Sequence, residues 1–213
     1  MAMQNEKSHF WSHPATIKKM VELLHAGGVI LSTTDTVLGL LAPLSESGRC
    51  ALDMIKKRQA KPYIVLLPSI DLLGHYVEPI ESFHIEKLLN SCWPGPLTIL
   101  LKAKRSMPRY ITGAAGTIAV RVPDHVGLQA VLTQCGPLFS TSANLADQPV
   151  PGVISEVDAH IFDAVGLVVD DAHMHNNAVA STILDCSAGD IRVVREGAYP
   201  IATLQKIAGV QFS

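Results

Sequence analysis

Apolar residues near the start of the chain recur at the spacing of one helical face. They fall at positions i, i+3, i+4 and i+7: Ile17, Met20, Val21 and Leu24. This is the pattern of an amphipathic α-helix. It predicts a helix over residues 14–26, which begins at a proline and ends at Gly27-Gly28.

Shorter apolar runs bounded by turn residues predict strands, which alternate with helices early in the chain and bunch together late. Further helices are predicted over residues 46–58 and 126–134, with two short helical pieces before the rigid corner Trp93-Pro94-Gly95-Pro96. This arrangement predicts an α/β fold with a mixed sheet and helices packed against it. The predicted strands span residues 29–33, 63–67, 97–103, 117–122, 137–140, 166–170, 181–186 and 191–195.

Composition narrows the classes of protein. The chain has 213 residues, of which 48% are hydrophobic and 17% charged, as expected for a globular protein with one sizeable core. The net charge of −2 argues against a protein whose only function is to bind nucleic acid, so any RNA contact would be local. We find no signal-peptide pattern or membrane span, and the four cysteines form no CxxC pair. These features predict a cytoplasmic protein with reduced thiols.

Hydroxyl-rich segments follow two of the predicted strands. The turn Ser32-Thr33-Thr34-Asp35-Thr36 lies at the carboxyl end of a buried strand, where open α/β sheets bind ligands. The segment Ser140-Thr141-Ser142-Ala143-Asn144 offers hydroxyls and an amide to phosphate oxygens. In both segments the alternative is that the side chains cap their own backbone.

Basic residues suggest an anion site. Lys56-Lys57-Arg58 and Lys61 lie near a helix end, where they either bind phosphates or complement the helix dipole. Arg121 lies within an apolar strand run, either on the wet face or buried beside an anionic partner. His173-x-His175 has no third metal ligand at a recognisable spacing and fits a polar loop better.

Known catalytic signatures do not explain these groups. The sequence contains no Walker loop, no GxGxxG loop and no GxSxG nucleophile motif.

Taken together in order, the motifs resemble the YrdC-like family over residues 14–200. Thr34-Asp35-Thr36-Val37-x-Gly39-Leu40 looks like its TDTVYGL signature, with Thr33 where proline and Leu38 where tyrosine is usual. Residues 63–67 also lack the histidine found after KP in many relatives. The other matching motifs are Lys56-x-Arg58 with Lys61-Pro62, Trp93-Pro94-Gly95-Pro96-Leu97-Thr98, residues 119–125 (AVRVPDH), residues 140–144 (STSAN), residues 181–185 (STILD) and Arg195-Glu196-Gly197.

The resemblance implies a single-domain α/β fold over residues 1–213, with a twisted mixed sheet, flanking helices and no extra C-terminal domain. It implies synthesis of threonylcarbamoyl-AMP and pyrophosphate from L-threonine, bicarbonate and ATP with Mg²⁺. The product would serve threonylcarbamoyl-adenosine modification of tRNA, so tRNA or tRNA-modification proteins are further expected partners.

By the same resemblance, the site residues divide into two groups. Threonine would be held by Thr34, Arg121, Ser140 and Ser181. The nucleotide would be held by Arg58, Lys61, Thr117, Ser142, Asn144 and Arg195, with Lys56 and Arg58 as the catalytic residues. Two alternatives stay open: a double-stranded RNA or tRNA-binding module, and a diverged carbamoyl-transfer paralogue with another acceptor.

Overall fold

The computed structural model describes residues 7–57, 62–171 and 179–213. Its strands are β1 (Ser8–Phe10), β2 (Ile30–Ser32), β3 (Gly39–Pro43), β4 (Ile64–Leu66), β5 (Leu97–Lys102), β6 (Thr117–Arg121), β7 (Leu138–Ser142), β8 (Leu167–Asp170), β9 (Thr182–Asp185) and β10 (Arg192–Arg195). Its α-helices are α1 (Thr16–His25), α2 (Glu46–Lys56), α3 (Leu73–Tyr76), α4 (Phe83–Cys92), α5 (Arg109–Thr112), α6 (Val126–Cys135), α7 (Ala159–Ala164) and α8 (Ile201–Ala208), with 3₁₀ turns at Ile70–Leu72 and Ile154–Glu156.

These strands form one mixed sheet in the order β1-β8-β2-β3-β7-β4-β6-β5-β9-β10. Four neighbouring pairs are parallel: β1 with β8, β2 with β8, β4 with β6, and β5 with β9. The other five pairs are antiparallel. The predicted α/β class with a mixed sheet and flanking helices is therefore confirmed. Within the described residues, no helix is long and apolar enough to cross a membrane.

Alternating strand residues divide the core between the two faces of the sheet. One face carries the larger core, which includes Leu52 of α2, Leu88 of α4 and Leu204 of α8. The opposite face is covered by α1 and α6, whose Met20 and Leu132 pack on β2, β3, β4, β7 and β8. This second layer leaves the β6, β5, β9 and β10 side of the same face uncovered by α1 and α6. The site described below lies on this same face, beside the second layer.

Several boundaries differ from the sequence predictions. The strands β1 and β3 and the helices α5, α7 and α8 were not predicted, and β7 continues through Ser142 instead of ending at Ser140. Every residue of β3 except Pro43 is buried, so its sequence shows no alternation that would mark a strand. The helix predicted to reach residue 58 has its last described helical residue at Lys56, and Lys57 at its C-cap adopts φ of 48°. Residue 58 lies outside the described residues.

Candidate active site

A cavity of about 240 Å³ opens on the sheet face that α1 and α6 partly cover, and residues of β3, β4, β6, β7, β9 and β10 line it. Strand register explains why polar side chains meet there: Ile64 of β4 pairs with Ser140 of β7, and Leu66 pairs with Arg121 of β6. Residues of one pleat row point to the same face. The polar residues lining the cavity are Thr34, Thr36, Arg121, Ser140, Thr141, Ser142, Ser181 and Arg195, with Gly39 beside them.

The turn between β2 and β3 supplies one wall of the cavity. Thr34 Oγ1 accepts a hydrogen bond from the backbone N–H of Thr36 (3.1 Å) and donates to the carbonyl of Val37 (2.7 Å). Both threonines are buried. The two sequence interpretations of this turn are thus compatible, because Thr34 organises its own backbone and also lines the cavity.

Arg121 is buried in the wall of the cavity, with 4% of its surface exposed. Its Nη1 donates to Thr36 Oγ1 (2.9 Å), and its Nη2 forms an ion pair with Asp35 Oδ1. The other carboxylate oxygen of Asp35 accepts from the backbone N–H of Asp124 (3.0 Å). The sequence left open whether Arg121 faces solvent; the structure places it inside, paired with Asp35.

One guanidinium nitrogen of Arg121 is unpartnered among the described residues. This nitrogen is Nε, which is buried. Burial lowers the pKa of Arg121, while the Asp35 carboxylate acts in the opposite direction. An arginine remains protonated despite such a shift. A ligand bound beside Arg121 would supply the acceptor that this N–H lacks.

Ser181 and Arg195 form another part of the cavity wall. Arg195 donates from Nε and Nη2 to the Ser181 carbonyl (3.2 and 2.8 Å), and Ser181 Oγ lies 2.8 Å from Thr98 Oγ1. Burial lowers the pKa of Arg195. A Cβ at Gly197 would lie 2.1 Å from the Ala180 carbonyl oxygen, so glycine is required where the chain passes the start of β9.

Lys56 is buried and stabilises residues 142 and 144 through hydrogen bonds. Its Nζ donates to the carbonyl oxygens of Ser142 (2.7 Å) and Asn144, and to Asn144 Oδ1 (3.1 Å). Ser142 Oγ also donates to Asn144 Oδ1 (2.5 Å). Lys56 is 1% exposed and is not among the cavity-lining residues. The structure therefore places Lys56 as a support for residues 142–144, and its catalytic role stays a prediction.

The remaining predicted residues lie in different places. Thr117 starts β6 on the same face as Arg121, but roughly 13 Å away at about 3.3 Å per residue. Asn144 Nδ2 donates to the Gln148 carbonyl (2.5 Å), so its amide is used within the loop. Thr34, Arg121, Ser140, Ser142, Ser181 and Arg195 come together in the cavity. Arg58, Lys61, His173 and His175 lie outside the described residues.

The sequence analysis placed Asp35 in the ligand-holding turn and Gly39 in the family signature, but gave neither an individual place among the site residues. A Cβ at Gly39 would lie 3.3 Å from Thr34 Cγ2 and 3.7 Å from Ser140 Oγ, so glycine keeps this part of the cavity open. The available signal was the glycine at the sixth position of the motif Thr34-Asp35-Thr36-Val37-x-Gly39-Leu40. Leu38, by contrast, is buried in the larger core and does not line the cavity. Within the described residues, no group of three or more His, Cys, Asp or Glu could hold a metal ion.

The fold and the cavity define an α/β protein whose mixed sheet carries, on one face, a cavity lined by two arginines and several hydroxyl groups. A family model for Sua5/YciO/YrdC proteins, described as "Telomere recombination", matches residues 22–197. The chain belongs to this family.

The relatives include a threonylcarbamoyl-AMP synthase of Pyrococcus abyssi, 29% identical over 87% of this chain and 55% of the relative. Another threonylcarbamoyl-AMP synthase, from Aliivibrio fischeri, is 31% identical over 85% of this chain and 98% of the relative. The structure of P. abyssi Sua5 complexed with L-threonine matches with a TM-score of 0.83 and 27% identity, over 92% of this chain and 58% of that one. The chain thus spans little more than half the length of the P. abyssi relative.

Proposed function

We propose that the chain is a threonylcarbamoyl-AMP synthase, which forms threonylcarbamoyl-AMP and pyrophosphate from L-threonine, bicarbonate and ATP. The product would be passed to the enzymes that place threonylcarbamoyl on an adenosine of tRNA. The names of the relatives support this proposal. So does the threonine complex of a structurally similar protein.

The cavity around Arg121 is the observation that carries the proposal. The Nε of Arg121 is buried and has no hydrogen-bond partner among the described residues, and Arg121 lines the cavity together with Thr34, Ser140 and Ser181. Threonine presents a carboxylate, which suits a guanidinium N–H, and a hydroxyl, which suits Ser and Thr side chains. We assign threonine to this end of the cavity.

The nucleotide would occupy the Ser142 and Arg195 side and continue along the open sheet face toward Thr117. Arg195 supplies a guanidinium for phosphate oxygens, and Ser142 offers its hydroxyl. Arg58, Lys61 and Asn144 complete the nucleotide set as proposed from the family resemblance. Mg²⁺ would enter as part of the MgATP substrate and be held by phosphate oxygens.

The proposed reaction has two steps. The amine of threonine attacks bicarbonate to give a carbamate, with loss of water. A carbamate oxygen then attacks the α-phosphorus of ATP, the bond to the β-phosphate oxygen breaks, and pyrophosphate leaves. Both reactants are anions, so Arg121 and Arg195 would act by positioning and charge neutralisation. No protein nucleophile is needed, and burial raises the pKa of the Cys92 and Cys186 thiols to about 11 and about 12.

The test is pyrophosphate release with each substrate omitted in turn. Release should require ATP, bicarbonate and threonine together. Serine should be a poorer substrate, since one missing methyl group is worth about 1–3 kcal/mol. Pyrophosphate release that does not depend on threonine but requires another amine would identify that amine as the acceptor. Salt-sensitive tRNA binding without ATP binding in calorimetry would favour an RNA-binding module instead.

A further inference from the structure

Trp11 lies outside residues 22–197 that match the family model, directly after the edge strand β1. Its backbone N–H donates to the Asp170 carbonyl (3.0 Å), which fixes it to the end of β8. Its indole Nε1 donates to Thr33 Oγ1 (2.9 Å). Its ring packs against His125, with the two ring centroids 4.7 Å apart.

Gly127 in the first turn of α6 makes room for this indole. A Cβ built at Gly127 would lie 2.4 Å from Trp11 Cε3 and 2.7 Å from Cζ3. Such distances are sterically excluded, so any larger residue would displace the indole. Glycine is a poorer helix former than alanine, so its presence at this position fits the space that the indole requires.

The contacts of Trp11 bridge the two segments that carry the Arg121 ion pair. Thr33 immediately precedes Thr34 and Asp35, whose carboxylate holds Arg121 and the backbone N–H of Asp124. His125 follows Asp124, and its Nδ1 accepts from the Leu128 N–H at the start of α6. Trp11 therefore contacts residues that lie close in the chain to both ends of the Asp35–Asp124 hydrogen bond, and it is not among the residues that line the cavity.

We propose that Trp11 is a positioning residue for the threonine end of the cavity. Its indole holds the Thr33–Thr36 turn against the start of α6, so that Asp35 keeps the Arg121 guanidinium oriented toward the cavity. This inference rests on the proposed function for its kinetic consequence. The Asp35–Asp124 connection itself can be observed without activity.

The kinetic experiment compares Thr33→Val with Thr33→Ser. Valine keeps the shape but removes the acceptor, and serine keeps the acceptor. Thr33→Val should raise KM for threonine by about three- to tenfold, as expected for one lost hydrogen bond. KM for ATP should stay within about twofold, because the nucleotide site does not use this turn. Thr33→Ser should behave like the native chain, and so should Phe10→Ala, which changes an exposed side chain beside Trp11.

Gly127→Ala provides a second variant, in which the added methyl group has two opposing effects on stability. Alanine favours the α6 helix, while its methyl group displaces the indole. The inference predicts a higher KM for threonine in Gly127→Ala. The Tm of this variant should fall less than the Tm of a variant that leaves a core cavity or an unpaired buried charge. A purely structural role for Trp11 would leave KM for threonine unchanged in Thr33→Val and Gly127→Ala, which would overturn the inference.

Amide hydrogen exchange separates this inference from the proposed function. The Asp124 N–H donates to Asp35, so Thr33→Val should speed its exchange while Thr33→Ser should not. If the native chain releases no pyrophosphate with threonine, the proposed function fails, and the exchange rates still test the positioning role. Equal exchange at Asp124 in all three proteins would refute that role.

Discussion

The buried ion pair between Arg121 and Asp35 gives the sharpest test of the site, since it couples stability to threonine binding. The two side chains are only 5% and 7% exposed. Arg121→Gln leaves the Asp35 carboxylate buried without its charge partner. Breaking a buried pair from one side costs about 3–5 kcal/mol. For a chain of this length that lowers Tm by roughly 6–20 °C.

A double-mutant cycle with Asp35→Asn isolates the pair. The double variant removes both charges and should recover much of the lost stability, because no unpaired charge remains buried. Its affinity for threonine should stay low by about ten- to hundredfold, since a charge-assisted contact is worth about 1.5–3 kcal/mol. ATP affinity should change much less.

Thermal unfolding and calorimetry with each ligand measure the two effects separately. Additive losses of Tm in the cycle would show that Arg121 and Asp35 are not coupled. Unchanged threonine affinity in the double variant would show that Arg121 does not bind threonine, even though it forms the ion pair in the native chain. A folded double variant that binds ATP but not threonine is the expected result.

Three further predictions follow from neighbouring contacts. Gly39→Ala should weaken threonine binding with little loss of Tm in thermal unfolding, because the new methyl group lies 3.3 Å from Thr34 Cγ2; unchanged affinity would place threonine elsewhere. Lys56→Met should weaken ATP binding in calorimetry and lower stability by about 1–3 kcal/mol, since the acceptors of residues 142 and 144 lose a donor; an unchanged Tm would contradict this. Burial lowers the pKa of His125 from its ordinary value of 6.5, although Asp35, Asp171 and Asp124 oppose the shift. The stability that His125 contributes is therefore fully present above about pH 6.5 and is lost as the pH falls toward its lower folded pKa. The difference in Tm between the native chain and His125→Asn should shrink on acidification, and a growing difference would refute the assignment.

The sequence predicted most of the sheet because most of its strands are apolar runs between turn residues. It also brought Thr34, Ser140, Ser142, Ser181 and Arg195 into consideration as site residues, and the structure places all five around one cavity. Periodicity could not find β1, whose three residues show mostly exposed positions. Nor could it decide the face of Arg121, since that depends on a carboxylate 86 positions away in the chain.

Lys56 shows a different limit of sequence reasoning. The basic cluster Lys56-Lys57-Arg58 near a helix end is compatible with an anion site and equally with a role in complementing the helix dipole. The structure instead directs the Lys56 ammonium to three oxygens of residues 142 and 144. A local pattern specifies the charge of a side chain, but the partner is chosen by tertiary packing.

The sheet order also determines how long one edge of β5 stays unpaired while the chain is being synthesised. The strand β5 (Leu97–Lys102) is paired on one side by β6, but its other partner, β9, is made some eighty residues later. Until then, Leu97 and Ile99, which are fully buried in the finished chain, border an unpaired row of backbone donors and acceptors. An open apolar edge of this kind pairs readily with a second copy. A nascent or truncated chain that lacks β9 would therefore aggregate through β5, however complete the rest of its sheet.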